Sequence, residues 1–245
     1  MEILRLNQIS PDQVILFQWG FVHVSATLAY TWLIMGILLA FALLVGRRST
    51  PDVKITRWQN LLEVVVGGIR EQIHEISQED PDHYMAFIGT LFLFIGLSNL
   101  LLIVPGYVAP TASLTTTAAL AVTVFLAVPI YGISRNRMGY FREYFQPTFI
   151  FFPFHVMGEL SRTLALAVRL FGNMMSHEKV IAILLAVTPL LFPVVMQVLG
   201  LLIGLIQAYI FVVLAMVYIA SATQTHEDAE HKAKVHQTTS ETQQT

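Results

Sequence analysis

Long apolar stretches alternate with short polar segments along most of this chain. An apolar run of about 20 residues can cross the hydrocarbon core of a bilayer as an α-helix. The alternating ten-residue pattern that is typical of a membrane β-barrel is absent from the sequence. The pattern therefore predicts an all-α integral membrane protein with about five transmembrane helices, at residues 18–45, 84–104, 114–134, 149 or 154–186, and 190–223.

Residues 57–77 follow a different pattern. Apolar side chains recur there at helical spacing opposite charged ones, which predicts an amphipathic helix on the cytoplasmic surface of the membrane or against a partner. A soluble amphipathic hairpin is the alternative. The apolar positions are Leu61, Leu62, Val65, Val66, Ile69, Ile73 and Ile76.

Both ends of the chain are more polar than its centre. Residues 1–17 are expected to form an external lead-in that is irregular or amphipathic, and residues 226–245 a polar cytoplasmic tail. The tail carries His226, His231 and His236, for which solvation is a better interpretation than metal binding. Residues 1–245 together are expected to be a single polytopic membrane domain.

The last two predicted spans are longer than a bilayer requires. Some 33 residues of α-helix measure about 50 Å, against a hydrocarbon core of about 30 Å. An ordinary tilt of about 20° does not absorb this difference. Both helices are therefore expected to be steeply tilted, and together they form a helical hairpin over residues 149–225.

Composition and charge support a membrane protein and suggest its orientation. The chain has 245 residues, 55% of them hydrophobic and only 12% charged, with a mean hydropathy of +0.65. Lys and Arg concentrate in residues 46–83 and 135–148. The positive-inside rule then predicts an external amino terminus and a cytoplasmic carboxyl terminus.

A polar stripe interrupts the fourth predicted span. Positions seven apart nearly superpose on an α-helix. One face therefore carries four polar residues at that spacing, His155, Arg162, Arg169 and Ser176. Relative to this stripe, Asn173 lies about 40° away, Glu159 and His177 lie about 80° to one side, and Glu178 lies on roughly the opposite face.

Arginine is costly in such a helix. A charge at the bilayer centre costs roughly 2.5–3.5 kcal/mol on insertion scales, so a residue of this kind usually serves a function. Arg169 has apolar neighbours on both sides, at 164–168 and 170–171. For Arg162 and Lys179 a structural role is the alternative, because each can reach an interface or pair with Glu159 or Glu178.

The last span carries a second set of polar and small residues on one side. Gly200 and Gly204 form a small-xxx-small pair, which allows close approach of another backbone. Gln197 and Gln207 flank this pair. In the second span, Asn99 is expected to be a buried polar residue.

The chemistry of these residues is that of an ion route. No phosphate-binding loop, H-E-x-x-H motif or hydrolase serine motif is present, and cysteine is absent. We therefore expect no catalytic site in this chain, no cofactor or metal, and no nucleic-acid partner. Titratable groups carry protons, while amides and hydroxyls orient water.

Arginine suits one role in such a route because it stays protonated at any working pH. At about 4 Å from a carboxylate and an effective dielectric near 20, it favours the ionised form by roughly 4 kcal/mol. That corresponds to about three pKa units. An arginine so placed expels a proton from a passing carboxylic acid and blocks direct leakage of cations.

Two motifs resemble a known family. Residues 164–174, Leu-Ala-Leu-Ala-Val-Arg-Leu-Phe-Gly-Asn-Met, and residues 207–214, Gln-Ala-Tyr-Ile-Phe-Val-Val-Leu, resemble the signatures of subunit a of F-type ATP synthases. Weaker similarities lie at Asn60–Glu63, Ser98–Gly106 and Pro110–Thr115, so that the resemblance spans about residues 25–225.

The resemblance implies a stator ion channel in the Fo sector, in a bacterial inner membrane. Arg169 would face the carboxylates of a rotating ring of c subunits, and two offset half-channels would lead ions to and from the ring, with H⁺ as the expected ion and Na⁺ as the alternative. The peripheral-stalk b subunits would be further partners. The implied channel residues are Asn173, Glu178 and Gln207, with His177, Glu159, His155 and Ser176 as additional candidates.

The chain departs from the family pattern at three positions. His177 stands where some bacterial relatives have glycine, and Gly200 stands where those relatives have histidine, as if the pair were exchanged. His155 stands where many relatives have an acidic residue, and Glu159 is expected to take over that role in the cytoplasmic exit route.

Two other function classes remain as alternatives. A self-contained secondary transporter would have broken helices and usually inverted repeats, and we find no convincing repeat between the halves. A structural scaffold would use its polar residues only to hold helices together, and would tolerate replacement of Arg169.

Overall fold

The fold is α-helical, as predicted, with one short β-hairpin before the first helix. The computed structural model describes residues 15–19, 22–48, 57–78, 80–104, 107–135, 152–187 and 192–242. The hairpin consists of β1 (Ile15–Trp19) and β2 (Val22–Ser25). The helices are α1 (Ala26–Arg48), α2 (Arg57–Ser77), α3 (Asp82–Leu100), α4 (Leu114–Arg135), α5 (Phe152–Val187) and α6 (Phe192–Thr242).

The hairpin corrects the predicted start of the first span. The strands are antiparallel, with Phe17 opposite Val24 and Trp19 opposite Val22. Residues 18, 19 and 22–25 therefore belong to strands, and the first membrane helix begins at Ala26 rather than at Gln18. β-Branched and aromatic residues prevail in this segment, and they favour strands over helices.

The amphipathic helix α2 has the predicted bounds, and it packs against α3 and α6. Ile69 and Ile73 on its apolar face are buried. Arg70 of α2 forms an ion pair with Asp82 at the start of α3. The Tyr209 hydroxyl of α6 donates a hydrogen bond to Gln72, with an O–O distance of 2.5 Å.

Five helices are long and apolar enough to cross a membrane, which confirms the predicted number among the described residues. α3 ends in a 3₁₀ turn (Leu101–Ile103), and a second 3₁₀ turn (Pro110–Ala112) precedes α4. α4 continues through Pro129 to Arg135 and does not end at that proline. The protein is therefore a multi-pass membrane protein.

The long helices have the predicted excess length. Their apolar segments, Val156–Val187 and Phe192–Thr223, contain 32 residues each. At 1.5 Å per residue each measures about 48 Å, well above the thickness of the hydrocarbon core. α6 also continues in helical form to Thr242, beyond its predicted end at Thr223. Residues 224–242 are mostly polar but lack glycine and proline, and seven of them are Ala, Glu or Lys, which favour helix.

α6 lies at the centre of the bundle and α5 at its edge. α6 packs against α2, α3, α4 and α5, whereas α5 packs mainly against α4, α6 and the loop before α4. In an apolar window of 18 residues within α6, 39% of the residues are buried, but only 11% in the corresponding window of α5. The described chain therefore leaves most of the α5 surface open. The largest fully buried side chains include Tyr84, Ile88, Ile95, Val124, Leu166, Leu170, Phe211, Met216 and Ile219.

Candidate functional site

Three side-chain contacts set the register between α5 and α6. The Arg162 guanidinium lies 5.5 Å from the centre of the Tyr218 ring. Asn173 is hydrogen-bonded to Gln207, and His177 lies against Gly200. Residue numbers fall along α6 as they rise along α5, so the two helices form an antiparallel hairpin with the candidate residues on or beside their contact.

Arg169 lies on the open side of this hairpin, where its side chain is exposed. The adjoining face of α5, about 60–140° around the helix from Arg169, is buried against the bundle through Leu166, Leu170 and Met174. Within the part of the chain that the structure describes, no carboxylate lies at ion-pair distance from Arg169. The residues around the Arg169 charge on this face are apolar and exposed. Val168, for example, is 58% exposed. The cation is therefore available to an acidic group of another chain.

Asn173 lies one helical turn from Arg169 and is held by α6. Its side-chain amide nitrogen donates a hydrogen bond of 2.5 Å to the side-chain oxygen of Gln207. Gln207 is only 2% exposed, so it has few alternative partners and orients the Asn173 amide. The arrangement places a fixed amide pair beside the Arg169 charge. Ser176, on the predicted stripe, is exposed as well.

His177 and Gly200 form the next contact along the hairpin. A Cβ atom added to Gly200 would lie 1.8 Å from His177 Cε1 and 1.9 Å from Nε2. No real side chain fits at such distances, so the imidazole occupies the space that a residue larger than glycine would need at position 200. The two residues that appeared exchanged in the sequence are thus direct neighbours.

Glu178 points away from the arginine face, as its helical position predicts. Its half-buried side chain lies near the loop before α4, where the Ala109 N–H donates a hydrogen bond to the carboxylate. The neighbouring Lys179 ammonium attracts the same carboxylate. This attraction supports the structural alternative for Lys179, and Glu178 remains in contact with the loop before α4.

The other end of α5 carries Glu159 and Arg162. Their side chains form an ion pair with an N–O distance of 3.7 Å, and Glu159 is the more buried partner, at 15% exposure. Arg162 is thus held by both Glu159 and the Tyr218 ring, which fits the structural alternative for this arginine. His155 lies on the first turns of the same helix, but its side chain is outside the part that the structure describes.

Asn99 joins α3, α6 and the second 3₁₀ turn. Its amide nitrogen donates to the Gly204 carbonyl at 2.8 Å, and its oxygen accepts from the Thr111 hydroxyl at 2.7 Å. A Cβ atom on Gly204 would lie 2.8 Å from Asn99 Cβ. Because Gly204 has no side chain, Asn99 can pack directly against its backbone, as His177 packs against the backbone of Gly200. Nearby, the Gln197 amide donates to the Leu102 carbonyl.

Sequence reasoning missed the partners of these groups. Thr111, which bonds to Asn99, was not a candidate, because an isolated hydroxyl in an apolar segment gives no pattern. The small-xxx-small pair was found, but it did not show that the two glycines accommodate side chains of two different helices. Among the described residues no group of three His, Cys, Asp or Glu side chains is placed to hold a metal ion.

The polar groups of α5 fall on both sides of Arg169. Toward the carboxyl end of α5 lie Asn173, His177 and Glu178, with Glu178 about 14 Å along the helix from Arg169. In the other direction lie Arg162 and Glu159, the latter about 15 Å along the helix. Such an arrangement can deliver a cation from one end, hold a fixed positive charge in the middle and release the cation at the other end.

Comparison with known proteins gives matches over most of the chain. A model of the family described as "ATP synthase A chain" matches residues 28–220, from α1 to the apolar part of α6. "ATP synthase subunit a 2" of Picosynechococcus sp. is 56% identical over 221 residues, which are 90% of this chain and 95% of that protein. "ATP synthase subunit a 2" of Acaryochloris marina is 56% identical over 88% of this chain and 93% of that protein. "ATP synthase subunit a" of Albidiferax ferrireducens is 52% identical over 89% of this chain and 94% of that protein.

Proposed function

Because this chain belongs to the ATP synthase A chain family, and is thereby a component of an ATP synthase complex, we propose that it forms the stator side of the ion path of a rotary F-type ATP synthase. The observation that carries the proposal is the position of Arg169. It is a permanently charged residue on the open face of an apolar helix, without a carboxylate partner in the described part of this chain. A charge in such a place calls for an acidic partner from outside the chain.

The partner in this proposal is the ring of c subunits, whose carboxylates pass Arg169 one at a time. At close range the guanidinium favours the ionised carboxylate by roughly 4 kcal/mol, which is sufficient to release a bound proton or cation. Because arginine keeps its charge, it does not itself transfer the ion. It separates the two halves of the path by electrostatic repulsion of free cations.

One half-channel leads through the end of the hairpin where α5 ends and α6 begins. Its residues in this proposal are Glu178, His177, Ser176 and the Asn173–Gln207 pair. The hydrogen bond between Asn173 and Gln207 and the contact of His177 with Gly200 support this assignment, because they fix polar groups from two helices along one line. Following the positive-inside rule, we place this half-channel on the outer side of the membrane.

The second half-channel leads from Arg169 toward the cytoplasm. Glu159 is its central carboxylate in this proposal, with His155 at its end. The ion pair with Arg162 supports this assignment, because it places a second polar side chain beside the Glu159 carboxylate on this side of Arg169. The ion is H⁺ or Na⁺, the b subunits of the peripheral stalk attach to the same chain, and the membrane is a bacterial inner membrane.

The test replaces Arg169 by alanine in the assembled complex in sealed vesicles. We expect normal assembly, judged by co-purification of c and b subunits, and a loss of ATP-driven ion uptake of at least 100-fold. Uptake is followed with and without added Na⁺, so that the wild type identifies the ion. The matched control is Arg162→Ala on the same helix, for which a reduction of less than tenfold is expected because its charge is already paired. Transport that survives Arg169→Ala at half the wild-type rate or more would falsify the ion-gate role and favour a scaffold.

A second experiment separates a stator from a self-contained transporter. Reconstituted alone in liposomes, the chain should show no saturable ion flux, because the path is incomplete without the ring carboxylates. Flux at the rate of the whole complex would support the transporter instead.

A further inference from the structure

Three buried polar atoms lack a hydrogen-bond partner among the described residues: Ser98 Oγ, Tyr107 OH and Gln207 Nε2. Gln207 belongs to the site described above, but Ser98 and Tyr107 do not. An unpaired hydroxyl in an apolar environment costs on the order of 1–3 kcal/mol, so buried hydroxyls are generally paired with protein, water or an ion. Ser98, with an exposure of 0%, has no direct access to solvent.

Tyr107 is held at the start of the loop that leads into α4. Its ring packs edge-to-face on Tyr30 of α1, with ring centres 4.9 Å apart and planes at 68°. Its backbone N–H donates to the carbonyl of Val104, which follows the 3₁₀ turn after α3. The tyrosine is therefore positioned by α1 through its ring and by the segment after α3 through its backbone.

Ser98 is the side chain that the Tyr107 hydroxyl approaches, and the charge of Glu178 acts on that hydroxyl from a longer range. The hydroxyls of Tyr107 and Ser98 face each other without forming a hydrogen bond of ordinary geometry. Tyr107 also lies within the field of the Glu178 carboxylate, which in turn accepts the hydrogen bond from the Ala109 N–H two residues further along the loop. Three oxygen-bearing side chains from α3, the loop and α5 thus converge.

These oxygens suit a small monovalent cation or its water. Each hydroxyl offers two lone pairs and one donor, and a carboxylate offers only acceptors. Burial raises the pKa of Tyr107 to about 12, so its hydroxyl stays protonated and neutral under working conditions. Tyr107 therefore does not carry a proton itself. It is suited to lend a lone pair to a cation, or to orient a water molecule toward Glu178.

We propose that Tyr107 and Ser98 form, with Glu178, an oxygen-lined binding station for the translocated monovalent cation at the outer end of the ion path. The station holds the cation, as Na⁺ or as hydronium with its water, before it reaches the Asn173–Gln207 pair. This inference rests on the proposed function and adds two residues that set the affinity for the ion on the side of entry.

The experiment uses Tyr107→Phe and Ser98→Ala in the complete complex, in vesicles that synthesise ATP with the ion supplied from the outer side. Tyr107→Phe keeps the ring that packs on Tyr30 and removes only the hydroxyl. The matched control is Tyr131→Phe, because Tyr131 lies at the other end of the bundle, within 5.2 Å of Tyr84 between ring centres. The half-saturating ion concentration is measured in two arms, a Na⁺ titration at fixed pH and an outer-side pH titration without Na⁺.

A binding station predicts a change in affinity rather than in maximal rate. We expect Tyr107→Phe to raise the half-saturating ion concentration three- to tenfold in the arm of the coupling ion, with a maximal rate within about twofold of wild type. Ser98→Ala should shift it in the same direction, and Tyr131→Phe should not. A half-saturating concentration within 1.5-fold of wild type in both arms overturns the inference.

Two outcomes distinguish failure of the binding station from failure of the proposed ion-path function. If Arg169→Ala abolishes transport while Tyr107→Phe and Ser98→Ala leave the affinity unchanged, the station is wrong and the ion-gate role stands. If Tyr107→Phe does not assemble, Ser98→Ala decides, because loss of a single oxygen atom from α3 leaves the loop packing intact.

Discussion

The His177 ring of α5 fills the space directly above the backbone of Gly200 in α6, so closely that a Cβ atom at position 200 would overlap the imidazole at 1.8 Å. The contact ties a titratable side chain of one long helix to a glycine of the other. It also explains why the pair is found as His-Gly: one member of the pair must be small for the other to be large.

Gly200→Ala should therefore disturb the hairpin. The added methyl group forces the imidazole or the helix to move, and such overpacking typically costs about 1–3 kcal/mol. We expect a lower melting temperature of the purified complex and slower ion transport. Gly36→Ala in α1 is the control, because a Cβ atom at Gly36 would meet no other atom within 4 Å. Equal melting temperatures for the two variants would contradict the close contact.

The double variant His177→Gly with Gly200→His tests whether the pair acts as a unit. Since the imidazole only moves to the opposite helix, we expect the double variant to transport ions better than either single variant. Ion uptake in vesicles, normalised to the amount of assembled complex, measures this. A double variant that is no better than Gly200→His alone would show that the side of the hairpin matters more than the presence of the ring.

Asn99 should contribute to stability rather than to ion transfer. Asn99→Ala removes the hydrogen bonds with the Gly204 carbonyl and the Thr111 hydroxyl and leaves the buried hydroxyl unpaired. We expect a loss of about 1–3 kcal/mol of unfolding free energy. Thr111→Val, which removes one of the two bonds, should have the smaller effect. Thermal unfolding in detergent measures both, and the reverse order would contradict the geometry.

The Asn173–Gln207 hydrogen bond should appear as coupling in a double-mutant cycle. Because each amide orients the other, Asn173→Ala and Gln207→Ala should not have additive effects on the transport rate. The expected coupling is about 0.5–1.5 kcal/mol, equivalent to a factor of roughly 2–10 in rate. A control cycle between Asn173 and Gln72, which lie in separate contacts, should be additive within experimental error.

The Tyr218 ring should hold Arg162 through its face. Tyr218→Phe keeps an aromatic ring and should leave the melting temperature nearly unchanged, whereas Tyr218→Leu should lower stability by about 0.5–1 kcal/mol. If Arg162→Ala is already present, the difference between Phe and Leu at position 218 should disappear. Persistence of that difference would mean that Tyr218 acts through packing alone.

The sequence by itself determined the membrane helices and the face on which Arg169 lies. Both follow from local periodicity, because the position of a side chain around a helix depends only on its place in the sequence. The bounds of α2 were predicted to the residue, and the excess length of α5 and α6 followed from a count of apolar residues. The start of α1 could not be predicted as well, because the residue types in 18–25 are compatible with both strand and helix.

Only the tertiary structure decided which polar groups meet. Two contacts, His177 against Gly200 and Asn99 against Gly204, depend on the register and separation of helices that are distant in sequence. Convergence of Ser98 and Tyr107 near Glu178 depends in addition on how a short loop folds back on the bundle. Such contacts result from packing of whole helices, and no periodicity within one segment encodes them.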